Sequence, residues 1–96
     1  MDVMVKLTDR AYDLVIYRHN PEDLTYAISE AQRILRSGGV FVIDNFFGGA
    51  KVSDPAQRDP KTVALREAGK ALKADSEVWS TSLIPVGDGL LLATKL

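Results

Sequence analysis

The chain has 96 residues, 46% of them hydrophobic and 26% charged, with twelve basic and thirteen acidic side chains and a formal charge of −1. That is the size and composition of one globular domain, and one of this size buries only about 60–65% of the surface its unfolded chain exposes. The near-neutral balance gives no sign of a nucleic-acid partner. The absence of cysteine excludes disulfides, thiolate metal sites and cysteine nucleophiles.

No apolar run approaches the length of a membrane span. The opening "MDVMVKLTDR" mixes charges and lacks the apolar core of a signal peptide, so a cytoplasmic location is expected.

Residues 2–10 allow a short helix with Val3, Met4 and Leu7 on one side. "YDLVIY", Tyr12 to Tyr17, is a β-branched and aromatic run without polar alternation, which predicts a buried strand. Asn20-Pro21 follows as an N-cap and first helical residue, with Asp23 in the first turn. Leu24, Ala27, Ile28, Ala31, Ile34 and Leu35 then recur at helical steps, and Gly38 is expected to end that helix.

"VFVI", Val40 to Ile43, predicts a strand apolar on both faces, as in the middle of a covered parallel sheet. A loop rich in Gly, Pro and charge follows, closed by Asp59-Pro60, a second cap-then-proline pair. Ala64, Leu65, Ala68, Ala71 and Leu72 mark a second helix ending near Asp75, with Gly69 in it at a cost of about 1 kcal/mol relative to Ala. Val78–Pro85 and Leu90–Thr94 read as strands around a "GDG" turn, an antiparallel hairpin.

Strand–helix–strand order makes the first two strands parallel neighbours. Two good helices are few for strands that are apolar on both faces. Either both helices cover one face and the other is bare, or they lie on opposite faces of a small three-layer domain. A bare face with an open edge implies a missing partner.

"GGVFVIDNFFGGAKVSDPAQRDPKTVALREAGKAL", followed by "SLIPVGDGLLLATK" and preceded by "YDLV…AISEAQRILRSGGV", resembles the C-terminal half of bacterial class I O-methyltransferases. These are the S-adenosylmethionine-dependent enzymes related to caffeoyl-CoA and catechol O-methyltransferases. The resemblance runs from about Asp2 to Leu96. It implies an α/β, Rossmann-like fold whose strands stand in the family order 4-5-7-6, the last strand antiparallel, with two main helices on one face. It also implies a single partial domain over residues 1–96, without the N-terminal half that carries the glycine-rich cofactor loop and the ribose-binding acid. Both of those cofactor-binding elements would lie before Met1, so no cofactor-binding residue is expected within the chain.

On that basis this portion of a methyltransferase, which would pass a methyl group to a hydroxyl of a small acceptor, is expected to be inactive and to bind no cofactor alone. A different expectation is a non-catalytic, self-associating remnant, dimeric through the bare face or the edge of the first strand. The partners expected are thus a second copy or the missing half, with no nucleic acid and no membrane.

The resemblance also implies site residues. Asp44 and Asn45 match a metal-binding pair of the cation-dependent members, but Arg18 stands where a metal Asp belongs, and Asn20 and Pro21 replace the following Asp and Lys. A guanidinium repels a cation, so metal binding is not expected. Arg18 pairing with Asp44 to clamp an anionic or phenolate-like substrate is one alternative, and loop capping is another. His19, the sole histidine, is either a general base for the acceptor hydroxyl, with Asp44 a second catalytic candidate, or an exposed loop residue. Phe46 and Phe47 either line an acceptor pocket with Asn45 or cover the core.

Overall fold

A computed structural model describes residues 11–17 and 23–96. The element order is β1 (Tyr12–Tyr17), α1 (Leu24–Ile34), β2 (Leu35–Asp44), α2 (Pro60–Ala74), β3 (Trp79–Ile84) and β4 (Leu90–Lys95). Met1, the suggested helix over residues 2–10 and the Asn20-Pro21 cap lie outside the described residues.

The strands form one sheet in the order β1-β2-β4-β3. β1 and β2 are parallel, while β4 runs antiparallel to both β2 and β3. Both expectations for strand pairing hold, and the order is that of strands 4-5-7-6.

The register sorts side chains onto two faces, because successive residues of a strand point to opposite sides. Val15 lies beside Phe41, and Tyr17 beside Ile43; Phe41 and Ile43 lie beside Ala93 and Leu91 in turn. These residues join Leu24, Ala27, Ala31 and Ile34 of α1 and Leu65, Ala68 and Leu72 of α2 in one buried core. Both helices therefore cover the same face. Phe41, fully buried, packs on Trp79 with ring centroids 6.2 Å apart and a tilted geometry that favours aromatic pairs.

The other face carries Leu14, Ile16, Val40, Val42, Leu92 and Ile84. Leu14 is 53% exposed and Ile16 47%; of the six only Val42, set between Ile16 and Leu92 in the middle of the sheet, is buried. No helix among the described residues packs there. Of the two helix arrangements left open by the pattern, the described helices take the one in which both lie on one face.

Two boundaries of α1 differ from expectation. It begins at Leu24, so Asp23 is its N-cap residue and not part of the first turn, and the Asp23 side chain makes no capping hydrogen bond. α1 ends at Ile34, not at Gly38, and Leu35 already has extended dihedrals and pairs with Tyr12. The register then jumps, with Leu14 beside Val40, so residues 36–39 form an irregularity in β2. Gly38 does adopt a positive φ of 86°, but in this kink and not at a helix cap. Two side-chain contacts hold the junction. Arg36 pairs with Asp13 of β1, and the Lys95 ammonium donates to the carbonyls of Gln32 and Leu35 at the end of α1, where a cation suits the helix dipole.

α2 begins as its sequence predicts. The Asp59 carboxylate accepts from the Thr62 backbone N–H at 3.2 Å and from its hydroxyl at 2.7 Å, and Pro60 is the first helical residue. These hydrogen bonds from Thr62 hold the Asp59 carboxyl below its usual value of 3.8. A depressed folded pKa means that the contribution is present above the unfolded value and fades as pH falls through the folded one. Asp59→Asn is thus expected to lower the melting temperature at neutral pH, with the gap from the parent closing in acid. Paired thermal melts across that range check this.

Candidate functional site

β1 and β2 both end at one rim of the sheet, where open α/β folds place their ligands. A cleft of about 230 Å³ opens there. Its walls are Tyr17 at the end of β1, Asp44 and Asn45 at the end of β2, the first turn of α2, and Asp88 from the β3–β4 turn. The run "VFVIDNFF" becomes polar because Asp44-Asn45 is where the chain leaves the core and enters this cleft.

Asp44 Oδ1 accepts from the Asn45 backbone N–H at 2.9 Å, and Asn45 adopts the left-handed φ of 54° that Asn tolerates better than most residues. The next residues are tied to the β3–β4 turn. Phe46 N–H donates to the Gly89 carbonyl at 3.0 Å and Phe47 N–H to the Asp88 carbonyl at 2.8 Å. Gly49 N–H reaches both oxygens of the Asp88 carboxylate, at 2.9 and 3.1 Å. Asp88 is therefore more than a turn residue, since it also anchors the loop after β2.

From the other side, Arg66 of α2 donates to the carbonyls of Val52, Asp54 and Gln57. Neither tether announces itself in the sequence, because each partner is a backbone atom far along the chain.

The two phenylalanines part company. Phe46 is buried in the core against Gly69, where an added Cβ would sit 2.7 Å from its ring. That contact explains a helix-weakening glycine in the middle of α2. Phe47 is half-buried and lies over Gly89. Arg18 and His19 lie outside the described residues, so among the candidates the structure brings together Asp44 and Asn45, with Phe46 and Phe47 behind them.

Tyr17 is 3% exposed, and its hydroxyl finds no hydrogen-bond partner among the described residues. Burial and the nearby Asp23 carboxylate raise its pKa above the usual 10.0, opposed in part by the Asp23 backbone amide. It is a neutral group.

The described residues by themselves do not complete a magnesium-type ligand set. Such an ion takes about six oxygen ligands. Asp44 and Asn45 offer two, while Asp59 and Asp88 are engaged with backbone N–H groups and Lys51 and Lys61 bring positive charge to the same cleft. Among the described residues no three acidic or histidine side chains converge as a ligand set.

Nor do the described residues supply a nucleotide-type turn: Gly48 and Gly49 precede α2 by a long loop and do not open a helix. No described helix is long and apolar enough to cross a membrane.

A mixed four-stranded sheet with an antiparallel last strand and two helices matches the C-terminal portion of Rossmann-like methyltransferases. The family model described as O-methyltransferase matches residues 2–96, and the chain belongs to that family.

A protein of Mycobacterium tuberculosis described as a probable O-methyltransferase is 38% identical over 94 residues, which are 98% of this chain and 42% of that protein. A crystal structure of a protein from Corynebacterium glutamicum superposes with a TM-score of 0.86 at 30% identity, over 98% of this chain and 43% of that one. The O-methyltransferase TomG of Streptomyces achromogenes, involved in tomaymycin synthesis and solved with S-adenosylmethionine, gives 0.76 at 26% identity over 98% and 45%. The chain thus spans less than half the length of the relatives it matches, corresponding to their C-terminal portion.

Proposed function

We propose that this chain is the acceptor-side portion of a cytoplasmic, S-adenosylmethionine-dependent O-methyltransferase. It acts with a cofactor-binding portion that packs on the face of Leu14 and Ile16 and against the open edge of β1. The intact protein passes a methyl group to a hydroxyl of a small acceptor. Asp44 and Asn45 face that acceptor; of the residues that follow β1 in the sequence, His19 is the candidate base and Arg18 the candidate clamp, without a metal ion.

The observation that carries this reading is the one-sided sheet. The face that no described helix covers and the cleft share the strands β1 and β2, so a portion packed on that face would lie next to the cleft. S-adenosylmethionine supplies the methyl group when bound.

Isothermal calorimetry of this chain with S-adenosylmethionine is expected to show no saturable binding in the micromolar range. Micromolar affinity would overturn the proposal that this chain is incomplete.

The exposed Leu14 and Ile16 and the open edge of β1 also favour a second reading, in which two copies pair through these surfaces and no chemistry follows. A concentration series by sedimentation separates the two. A monomer at all concentrations removes the self-associating remnant, and a stable dimer blocked by Ile16→Lys supports it.

A further inference from the structure

The opposite edge of the sheet carries a second surface, independent of the face considered above. β3 is bonded to β4 alone among the described residues, so one side of its backbone is open. From Val78 to Val86 the sequence has no charged residue. Edge strands normally carry charges that discourage pairing. Here Leu83 is 51% exposed, and Ile84 and Val86 are exposed beside it.

Leu83 forms part of an apolar groove of about 320 Å³ between β3 and α2, floored also by Phe46, Val52 and Leu91. Its rim is cationic. Lys70 and Lys73 overhang the groove from α2, and Arg66 is already committed to backbone carbonyls. An acidic neighbour, Glu67, meets Lys70 at 3.3 Å in an exposed pair that is easily exchanged.

An open edge with an apolar groove on one side suits strand addition, in which main-chain hydrogen bonds bind and alternate side chains enter pockets. The charge decides what is added. Two copies related by a two-fold axis normal to the sheet would face each other with Lys70 and Lys73 from both sides, and like charges oppose that pairing.

We infer that the β3 edge docks an extended peptide segment of a different protein, one whose every second residue faces the groove and α2, those residues being apolar over Leu83 and acidic where they meet Lys70 and Lys73.

The test uses a short fluorescent peptide whose every second residue is leucine or glutamate in turn, with serine between them, a lysine-for-glutamate counterpart, and the glutamate peptide methylated on alternate backbone amides. Anisotropy titrations on this chain are expected to show binding of the first peptide alone. Affinity should fall about tenfold or more in Lys70→Glu/Lys73→Glu and in Leu83→Lys, each verified as folded by circular dichroism. Equal binding of the acidic and basic peptides would overturn the inference, as would no saturable binding of the acidic one. So would indifference to amide methylation, or a dimer in sedimentation that Leu83→Lys dissociates.

Discussion

Phe41→Ala is expected to destabilise the chain by about 3–5 kcal/mol, the range for emptying a fully buried aromatic site. Phe41 is the largest side chain with no exposure, and it sits where the two helices, β1 and the Trp79 ring meet. Deleting it removes the ring from contact and leaves a cavity that the packed core around it closes only in part. Domains of this kind hold only about 5–15 kcal/mol in total. Urea unfolding should therefore show a midpoint shifted far toward water, with little change in slope. Trp79, the sole tryptophan, reports the transition directly. A loss below about 1 kcal/mol would mean that the core is not centred on this ring.

The second large effect is expected at Gly89. Its φ is +88°, and a Cβ there would lie 2.7–2.9 Å from three atoms of the Phe47 ring. Gly89→Ala combines a left-handed backbone penalty with overpacking, about 2–4 kcal/mol together. Gly87 is the control, since it too has a positive φ, +58°, but nothing within 4 Å of an added Cβ. Gly87→Ala should thus lose only the backbone part, about 1 kcal/mol. Because the Gly89 and Asp88 carbonyls hold the Phe46 and Phe47 amides, Gly89→Ala should also speed hydrogen exchange at those amides while Gly87→Ala leaves them protected. Equal effects of the two substitutions would show that the turn and the loop after β2 are not one unit.

The parts of this fold that were legible in the sequence are those fixed by neighbours along the chain. β1 was readable because β-branched and aromatic residues run together there. α2 was readable at its start because Asp59-Pro60 and Thr62 satisfy each other locally. The hairpin was readable from its turn.

The end of α1 was not. Leu35 continues the apolar spacing of Ala31 and Ile34, so burial is satisfied whether it is helical or extended, and only pairing with Tyr12, far along the chain, decides. The reason for Gly69 was hidden for the same cause, since the Phe46 ring it admits comes from another element. At the site, Asp44 and Asn45 were legible from their place at a strand's end and from the family resemblance. The tethers made by Asp88 and Arg66 were not, because a side chain bonded to a distant backbone leaves no pattern of spacing.

The proposed function requires a sheet with one wrapped side, and the absence of cysteine allows a clean measurement of that. Single cysteines are placed at Val15 and at Ile16, neighbours on β1 that point to opposite faces, and their alkylation rates are compared under native conditions. Ile16→Cys should react at close to the rate of an unfolded peptide and Val15→Cys about a hundredfold or more slower, at the pace of opening of the core. Equal protection at both positions would show that this chain covers both faces of its sheet with its own segments, and would contradict the one-sided layer.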